Sequence, residues 1–417
     1  MPSRVNRRQL VRSIDVTILT DLIVTEVLDS SSDDQDRKMD EESESSSDDD
    51  HTTTAIARCY AADSRYLSPR QWLPKTKELV DIIFKSDDVT FKRNSRMSRQ
   101  AFYGIAQKIR DYKVFKNKSN LSQADPAEQL MIALGRFGFD GSGSSLWKDG
   151  AYFGVGEGTV NLYTERVMVA LLSLERHTVF WPKTAERMQI RRRIEEAHKF
   201  RNCIGYVDGT LVGLEEKPAG SGEDYFLRKS GYAINAMIVV DDQKIVRHVY
   251  AGWSGGAHDH RVFVYSNFAR FPSDYFANGE YLLADSAYPT SDITVPTHKK
   301  PAADIAENRE FNPIHAGTRV AAEHMIGILK GRFKSLKRLR VHIKEKKDLA
   351  WAVYWIRVCC IPHNLLEKDP YDEEWTEEGA NAEENEDDEL AIHLQADSCQ
   401  TGRMKREAVK QSVLGRY

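Results

Sequence analysis

The sequence contains no Cys-x-x-Cys pair. Its five cysteines (Cys59, Cys203, Cys359, Cys360 and Cys399) are odd in number and scattered, which argues against a zinc knuckle or a disulfide framework and fits a reducing intracellular compartment. No stretch approaches the roughly 18 consecutive apolar residues of a membrane span, so no membrane partner is expected. A secretory signal core is lacking too, because Asp15, Asp21 and Glu26 interrupt the N-terminal apolar stretch. What remains reads as a soluble chain of 417 residues, 41% hydrophobic, with 7 Trp and 17 Tyr. That is long enough for two domains or more and apolar enough for a substantial core.

The charge balance is uneven. Residues 29–50 carry 11 acidic and 2 basic side chains, and residues 367–389 carry 13 and 1. Removing these segments, at −9 and −12, from the net charge of −4 leaves +17 on the rest. A basic body flanked by acidic, disordered stretches is expected, and a basic body suits DNA, where phosphate neutralisation supplies much of the affinity. The acidic stretches either aid solubility or compete with DNA for the basic surface.

The pattern divides the chain into four parts. Residues 1–66 are expected to be mostly disordered around a Ser/Asp/Glu tract, and 67–200 to be helical. An α/β region is expected over 201–368, and an acidic, then basic, disordered tail over 369–417. In the helical part, Ser98 reads as an N-cap, and Asp125-Pro126 as a cap followed by Pro at the first helical position. The stretch Tyr152-Phe-Gly-Val-Gly-Glu-Gly-Thr-Val-Asn-Leu-Tyr-Thr-Glu-Arg-Val is a glycine-rich turn leading into a helix, as in a helix-turn-helix reader. Asn161, Thr164 and Arg166 are types that reach bases or phosphates. An ordinary αα-hairpin fits the same spacing, with Leu162, Val167, Val169 and Leu171 in the core.

After residue 200 the hydrophobic period changes from 3.6 to 2. Ile204–Val207, Ile234-Asn-Ala-Met-Ile-Val-Val-Asp and Ile245-Val-Arg-His-Val-Tyr-Ala read as three consecutive strands, with a turn at Asp241-Asp242-Gln. A helix opens at His258-Asp259, a strand follows at Tyr281-Leu-Leu-Ala, and a helix spans 319–333. This order describes a mixed sheet with carboxylates gathered at one edge. Asp208 and Asp285 each end a strand-like run and Glu323 lies within the helix. Two strand-end acids and one helical acid can converge on a pair of Mg²⁺ ions about 3.5–4 Å apart, which clamp the attacking and leaving oxygens of a phosphoryl displacement. Hard oxygen ligands suit Mg²⁺ or Mn²⁺.

The stretches Val207-Asp-Gly-Thr, Gly252-Trp-Ser-Gly-Gly-Ala-His-Asp-His-Arg-Val-Phe, Asp285-Ser-Ala-Tyr-Pro and Arg319-Val-Ala-Ala-Glu resemble the PIF/Harbinger transposases and the nucleases derived from them. Lys330-Gly-Arg-Phe and Cys360-Ile-Pro-His-Asn extend the likeness, which covers about 202–366. The resemblance implies an RNase H-like catalytic domain and two divalent cations. It also implies cleavage and strand transfer of DNA, and a separate Myb-like DNA-binding partner. Its catalytic triad carries over onto Asp208, Asp285 and Glu323, each also a metal ligand. Asp208 would bridge both ions, Asp285 would hold one and Glu323 the other. Two departures stand out: Ala284 and Ala287 flank Asp285-Ser286 where the family has glycine, and Glu323 is followed by His324-Met325-Ile326 rather than Arg-Ala-Phe.

Arg319, Glu323 and Lys330 fall at i, i+4 and i+11, close to one helix face. Arg319 is expected to orient Glu323 and Lys330 to contact phosphate, against the plainer reading of a surface ion pair. Asp259 is either a helix N-cap or an auxiliary metal or DNA contact. His298, His315 and His363 lack ligand spacing and are expected to serve packing or hydrogen bonding. Residues 330–347 hold 9 basic and 1 acidic side chains. Arg332, Lys334, Lys337, Arg338 and Arg340 among them are expected to track DNA backbone on one face. Together these readings describe a metal-dependent DNA endonuclease or transposase, nuclear and also cytoplasmic, and a homo-oligomer by family analogy. The alternatives are a domesticated DNA-binding protein that has lost turnover and a transcription regulator.

Overall fold

From residue 78 the chain runs as a series of short helices, four of them started by a side-chain cap. They are α1 (Glu78–Lys85), α2 (Asp88–Ser95), α3 (Arg99–Arg110), α4 (Pro126–Phe137), α5 (Leu146–Phe153), α6 (Glu157–Leu172) and α7 (Thr184–His198). Ser98 accepts from Ala101 N at 3.2 Å and Asp125 from Ala127 N at 2.8 Å; both are the expected caps, each contributing about 1 kcal/mol. Gly154, at φ 66°, closes α5 in a left-handed turn, and Gly156 opens α6, giving a helix-turn-helix-like pair. The structure, a computed structural model, describes residues 78–117, 120, 122–227, 231–277, 279–366, 369 and 399–416. All of them fall within one unit, Lys75–Tyr417. The N-terminal 77 residues, with the acidic tract at 29–50, lie outside the described residues, as does 367–389 apart from Asp369.

The sheet follows. Its strands are β1 (Cys203–Leu214), β2 (Phe226–Leu227), β3 (Gly231–Val240), β4 (Val246–Ser254), β5 (Tyr281–Ala284) and β6 (Thr294–Pro296). β3 pairs antiparallel with β1 on one side, and with β4 and the short β2 on the other. β5 runs parallel to β1, and β6 parallel to β5. Three antiparallel strands continued by two parallel ones make a mixed sheet of the RNase H-like order that the family resemblance implied. β1 bulges near its start, where Gly205 has φ 149° and a Cβ would lie 2.5 Å from Val240 O; a side chain there would break the pairing.

Helices cover both faces. On one, α8 (Asp259–Val264) and the segments after it pack Val262, Phe263 and Phe268 onto Val207, Met237 and Val239. On the other lies α9 (Ala306–Arg332), which begins thirteen residues before the 319 that the sequence pattern marked. α10 (Lys346–Leu365) joins the helical region to the sheet. Its Trp355 meets Phe137 of α4 edge-on at 4.9 Å, with the Arg136 guanidinium 5.0 Å from the indole. No described helix is long and apolar enough to cross a membrane.

Two expectations change here. Asp208 does not end its strand: β1 continues to Leu214, and what stops after Val207 is the pairing with β5. The tail is not wholly without structure either, since α11 (Gln400–Val413) is a helix packed on the body. Its Lys410 is buried, bonding Asn308 at 2.9 Å and pairing with Glu407 and Glu307, while Lys405 donates to the carbonyls of Glu280 and Asp292. Basic composition suggested a solvated segment; buried partners for each ammonium reversed that.

Candidate active site

The register brings the acids together. Val207 of β1 lies beside Ala284 of β5 in the parallel pair, so the next residues, Asp208 within β1 and Asp285 just past β5, lie side by side. Asp208 is held by its own strand and by α9. Its Oδ1 accepts from Gly209 N at 3.1 Å and pairs with Arg319 Nη1 at 2.8 Å. Asp285 sits in a turn that its carboxylate closes, Oδ1 accepting from Ala287 N at 2.9 Å. Glu323, one helical turn beyond Arg319, accepts from Arg319 Nη2 at 2.8 Å. Asp208 has 12% of its side chain exposed and Glu323 49%, so the site opens to solvent on the Glu323 side.

Arg319 is the hub. Burial works against its charge, but Asp208, Asp285 and Glu323 outweigh that and leave its pKa raised. The expected orienting role is thus matched in geometry, with a wider reach: Arg319 links the strand acid to the helix acid. Tyr288, three residues after Asp285, is 4% exposed, and its phenol has no hydrogen-bond partner among the described residues. Burial first, then the charges of Asp259, Asp285 and Asp208, push its pKa well above the usual phenol value.

These donors fit a divalent cation in kind: carboxylate oxygens from two adjacent strands and a facing helix. The arrangement of the side chains is drawn instead onto the Arg319 guanidinium, and no described group of three His, Cys, Asp or Glu is close enough to hold a metal ion.

Other residues singled out in the sequence fall elsewhere. Lys330 and Arg332 are 3% and 2% exposed, because the last turns of α9 are enclosed on all sides, so neither reaches DNA in this conformation. Lys334, Lys337 and Arg340 are half-buried and Arg338 is exposed, paired with Glu215 at 2.5 Å. This strip is fixed by backbone: Leu339 N donates to Gly213 O at 2.6 Å, and Leu339 O accepts from Glu215 N at 3.0 Å. A Cβ on Gly213 would lie 2.5 Å from Lys337 O, so the close approach requires glycine. The strip therefore lies six strand residues, about 20 Å, along β1 from Asp208.

In the α5–α6 pair, Thr164 is fully buried and donates to Val160 O at 2.8 Å. Asn161 donates to Glu165 at 2.6 Å and accepts from Arg136 at 3.3 Å, and Arg166 is half-buried. Val167 and Leu171 are core as expected, Val169 is half-buried and Leu162 is exposed. This is the packed hairpin geometry. His315 and His363 bond the carbonyls of Val295 (2.8 Å) and Lys244 (3.2 Å), and His298 packs on Phe311, as expected of interior histidines. Sequence reading missed Asn235 and Tyr288. A polar residue inside the apolar run Ile234–Val240, and the tyrosine of the Asp285 motif, were the available signals.

Residues 207–364 match the family model described as DDE superfamily endonuclease. This segment belongs to the DDE superfamily endonucleases. The match bears out the likeness to PIF/Harbinger-type DDE transposases and the nucleases derived from them. Among curated proteins, the chain is similar to the Arabidopsis thaliana protein Antagonist of Like Heterochromatin Protein 1. The two are 25% identical over 315 residues, spanning 71% of this chain and 76% of that protein. It is also similar to an Arabidopsis thaliana ALP1-like protein, 24% identical over 300 residues, covering 67% and 71%. No solved structure matches the chain at a significant level. DDE superfamily endonucleases use divalent metals.

Proposed function

We propose that the chain is a metal-dependent DNA endonuclease or transposase that hydrolyses phosphodiesters and, with a DNA 3′-hydroxyl as nucleophile, transfers strands. The observation that carries this reading is the β1–β5 register, which sets Asp208 beside Asp285 while Arg319 draws Glu323 toward Asp208. Asp208, Asp285 and Glu323 would hold two Mg²⁺ or Mn²⁺ ions. Bound there, such ions lower the pKa of the nucleophile and neutralise the leaving oxygen. The chain's own part is orientation. Gly209 N and Arg319 fix one oxygen of Asp208, Ala287 N fixes one of Asp285, and Arg319 fixes one of Glu323. The strip bearing Lys334, Lys337, Arg338 and Arg340 would follow the DNA backbone leading to the site. A Myb-like DNA-binding partner, a dimer acting on paired DNA ends and a nuclear location belong to the same proposal.

A second reading is a domesticated DNA-binding or regulatory protein without turnover. It is favoured by the name of the Arabidopsis relative, which describes an antagonist of a heterochromatin protein. Plasmid nicking by purified protein with Mg²⁺ or Mn²⁺, alongside Asp285→Ala, separates the two. Metal-dependent nicking lost in the variant is expected. DNA binding without nicking by either metal would favour the regulator.

A further inference from the structure

Neighbouring residues on a strand point to opposite faces. β1 pairs with β3 without interruption from Tyr206 to Leu214. Asp208 therefore faces α9, where Arg319 holds it, and Gly209 faces α8. The space a side chain at 209 would fill is taken by Asp259, the first residue of α8: a Cβ there would lie 2.5 and 2.6 Å from its two carboxylate oxygens. Asn235, on β3 opposite Leu211, donates from Nδ2 to Asp259 Oδ1 and to Ala257 O, both at 3.0 Å. Asp259 is not the helix cap, since that position is His258. Nor does it share a face with Asp208, because the strand backbone lies between them.

Tyr288 packs its ring against Phe263 of α8 at 5.8 Å and donates its backbone N–H to Asp285 O at 3.3 Å, so α8 and the Asp285 turn meet around one side chain. A negative charge beneath β1 thus acts on the same small volume as the two strand acids.

We infer that Asp259 is a positioning residue working through β1. It clamps the strand at the residue after Asp208 and, from the far face, tightens divalent-cation binding by Asp208 and Asp285 without ligating the cation itself. This rests on the proposed metal-dependent reading. Gly209 is then glycine because Asp259 needs its space, and Asn235 sits in an apolar strand to hold that carboxylate in place.

The test is Mn²⁺ titration of the full chain by calorimetry, with nicking rates at low and saturating Mn²⁺, for Asp259→Asn, Gly209→Ala, Asn235→Leu and Asp208→Asn. Asp259→Asn removes charge but little volume. It should weaken Mn²⁺ binding about tenfold, as expected for one charge acting across partly hydrated protein, with the number of bound ions unchanged and nicking restored at saturating Mn²⁺. Gly209→Ala keeps the charge but displaces it and the strand, so saturating Mn²⁺ should not restore its nicking. Should Asp259→Asn fail to fold, Asn235→Leu carries the test, with a smaller loss of affinity in the same direction. Unchanged Mn²⁺ affinity in Asp259→Asn would overturn the inference, and so would loss of a bound ion, which would make Asp259 a ligand. In both cases the metal-dependent reading survives if Asp208→Asn loses Mn²⁺. A wild-type protein that neither binds Mn²⁺ nor nicks DNA would overturn both.

Discussion

The α5–α6 hairpin and the β1–β5 edge each presented, in sequence, polar residues at the spacing of a known chemistry. In the hairpin those residues turned inward: Thr164 bonds its own helix, and Asn161 is spent on Glu165 and Arg136. At the sheet edge they stayed together, because strand register leaves little choice of direction. Once Val207 and Ala284 pair, the next side chains must emerge side by side. A helix offers no such constraint, since its polar residues can face a neighbouring helix as readily as solvent. Polar types at matched positions on paired strands are therefore stronger evidence of a site than the same types on a helix.

The largest expected effect tests that difference directly. Asp208→Asn should lower metal-dependent nicking on the order of a thousandfold, as loss of a metal-holding group does, while Asn161→Ala should leave the rate within about twofold. Equal losses in the two variants would break the comparison and return the hairpin to the reaction.

A smaller effect concerns the frame behind the acids. Burial lowers the pKa of both His315 on α9 and His363 on α10 to about 4, from an ordinary 6.5. The unfolded chain takes up these protons first, so the stabilisation is whole above about pH 6.5 and is lost as pH falls toward 4. Each residue accounts for about 1–3 kcal/mol over that window. Thermal melting at pH 7.5 and 5 should show the drop, and His315→Gln should shrink it. A melting temperature that stays level across this range would mean that these imidazoles are not held neutral.

What could be read from the sequence followed the same rule. The β3–β4 hairpin was legible because alternation and an Asp-Asp turn are local signals, and the acids followed from it. Asp208 was misread as a strand end, because nothing in the sequence shows that the glycine after it leaves room for Asp259, fifty residues on. Lys330 and Arg332 were read as surface because a run of charge does not reveal which turns of α9 are enclosed. α11 was missed because its lysines look solvated until Asn308, Glu307 and the Glu280 carbonyl are seen beside them.

Thr164→Val sharpens the hairpin side. The hydroxyl serves only the Val160 carbonyl within the same helix, so its loss should change stability by no more than about 1 kcal/mol, with DNA affinity unchanged in electrophoretic shift assays. Weakened DNA binding in a normally folded variant would mean that α6 opens to present this face.

The smallest effect lies on the strip that should meet DNA. Arg338 is exposed and shares its charge with Glu215, so in the free protein part of its field is already neutralised. If it contacts a phosphate, Arg338→Ala should reduce the slope of log affinity against log salt by about one unit, and affinity itself only modestly at low salt. Arg332→Ala offers no such signature, because its guanidinium is enclosed; it should destabilise the fold and leave the slope alone. Measured side by side on non-specific duplex, the two arginines turn a difference in burial into a difference in counterion release. A reduced slope for Arg332→Ala and none for Arg338→Ala would place the DNA track on another face of the sheet.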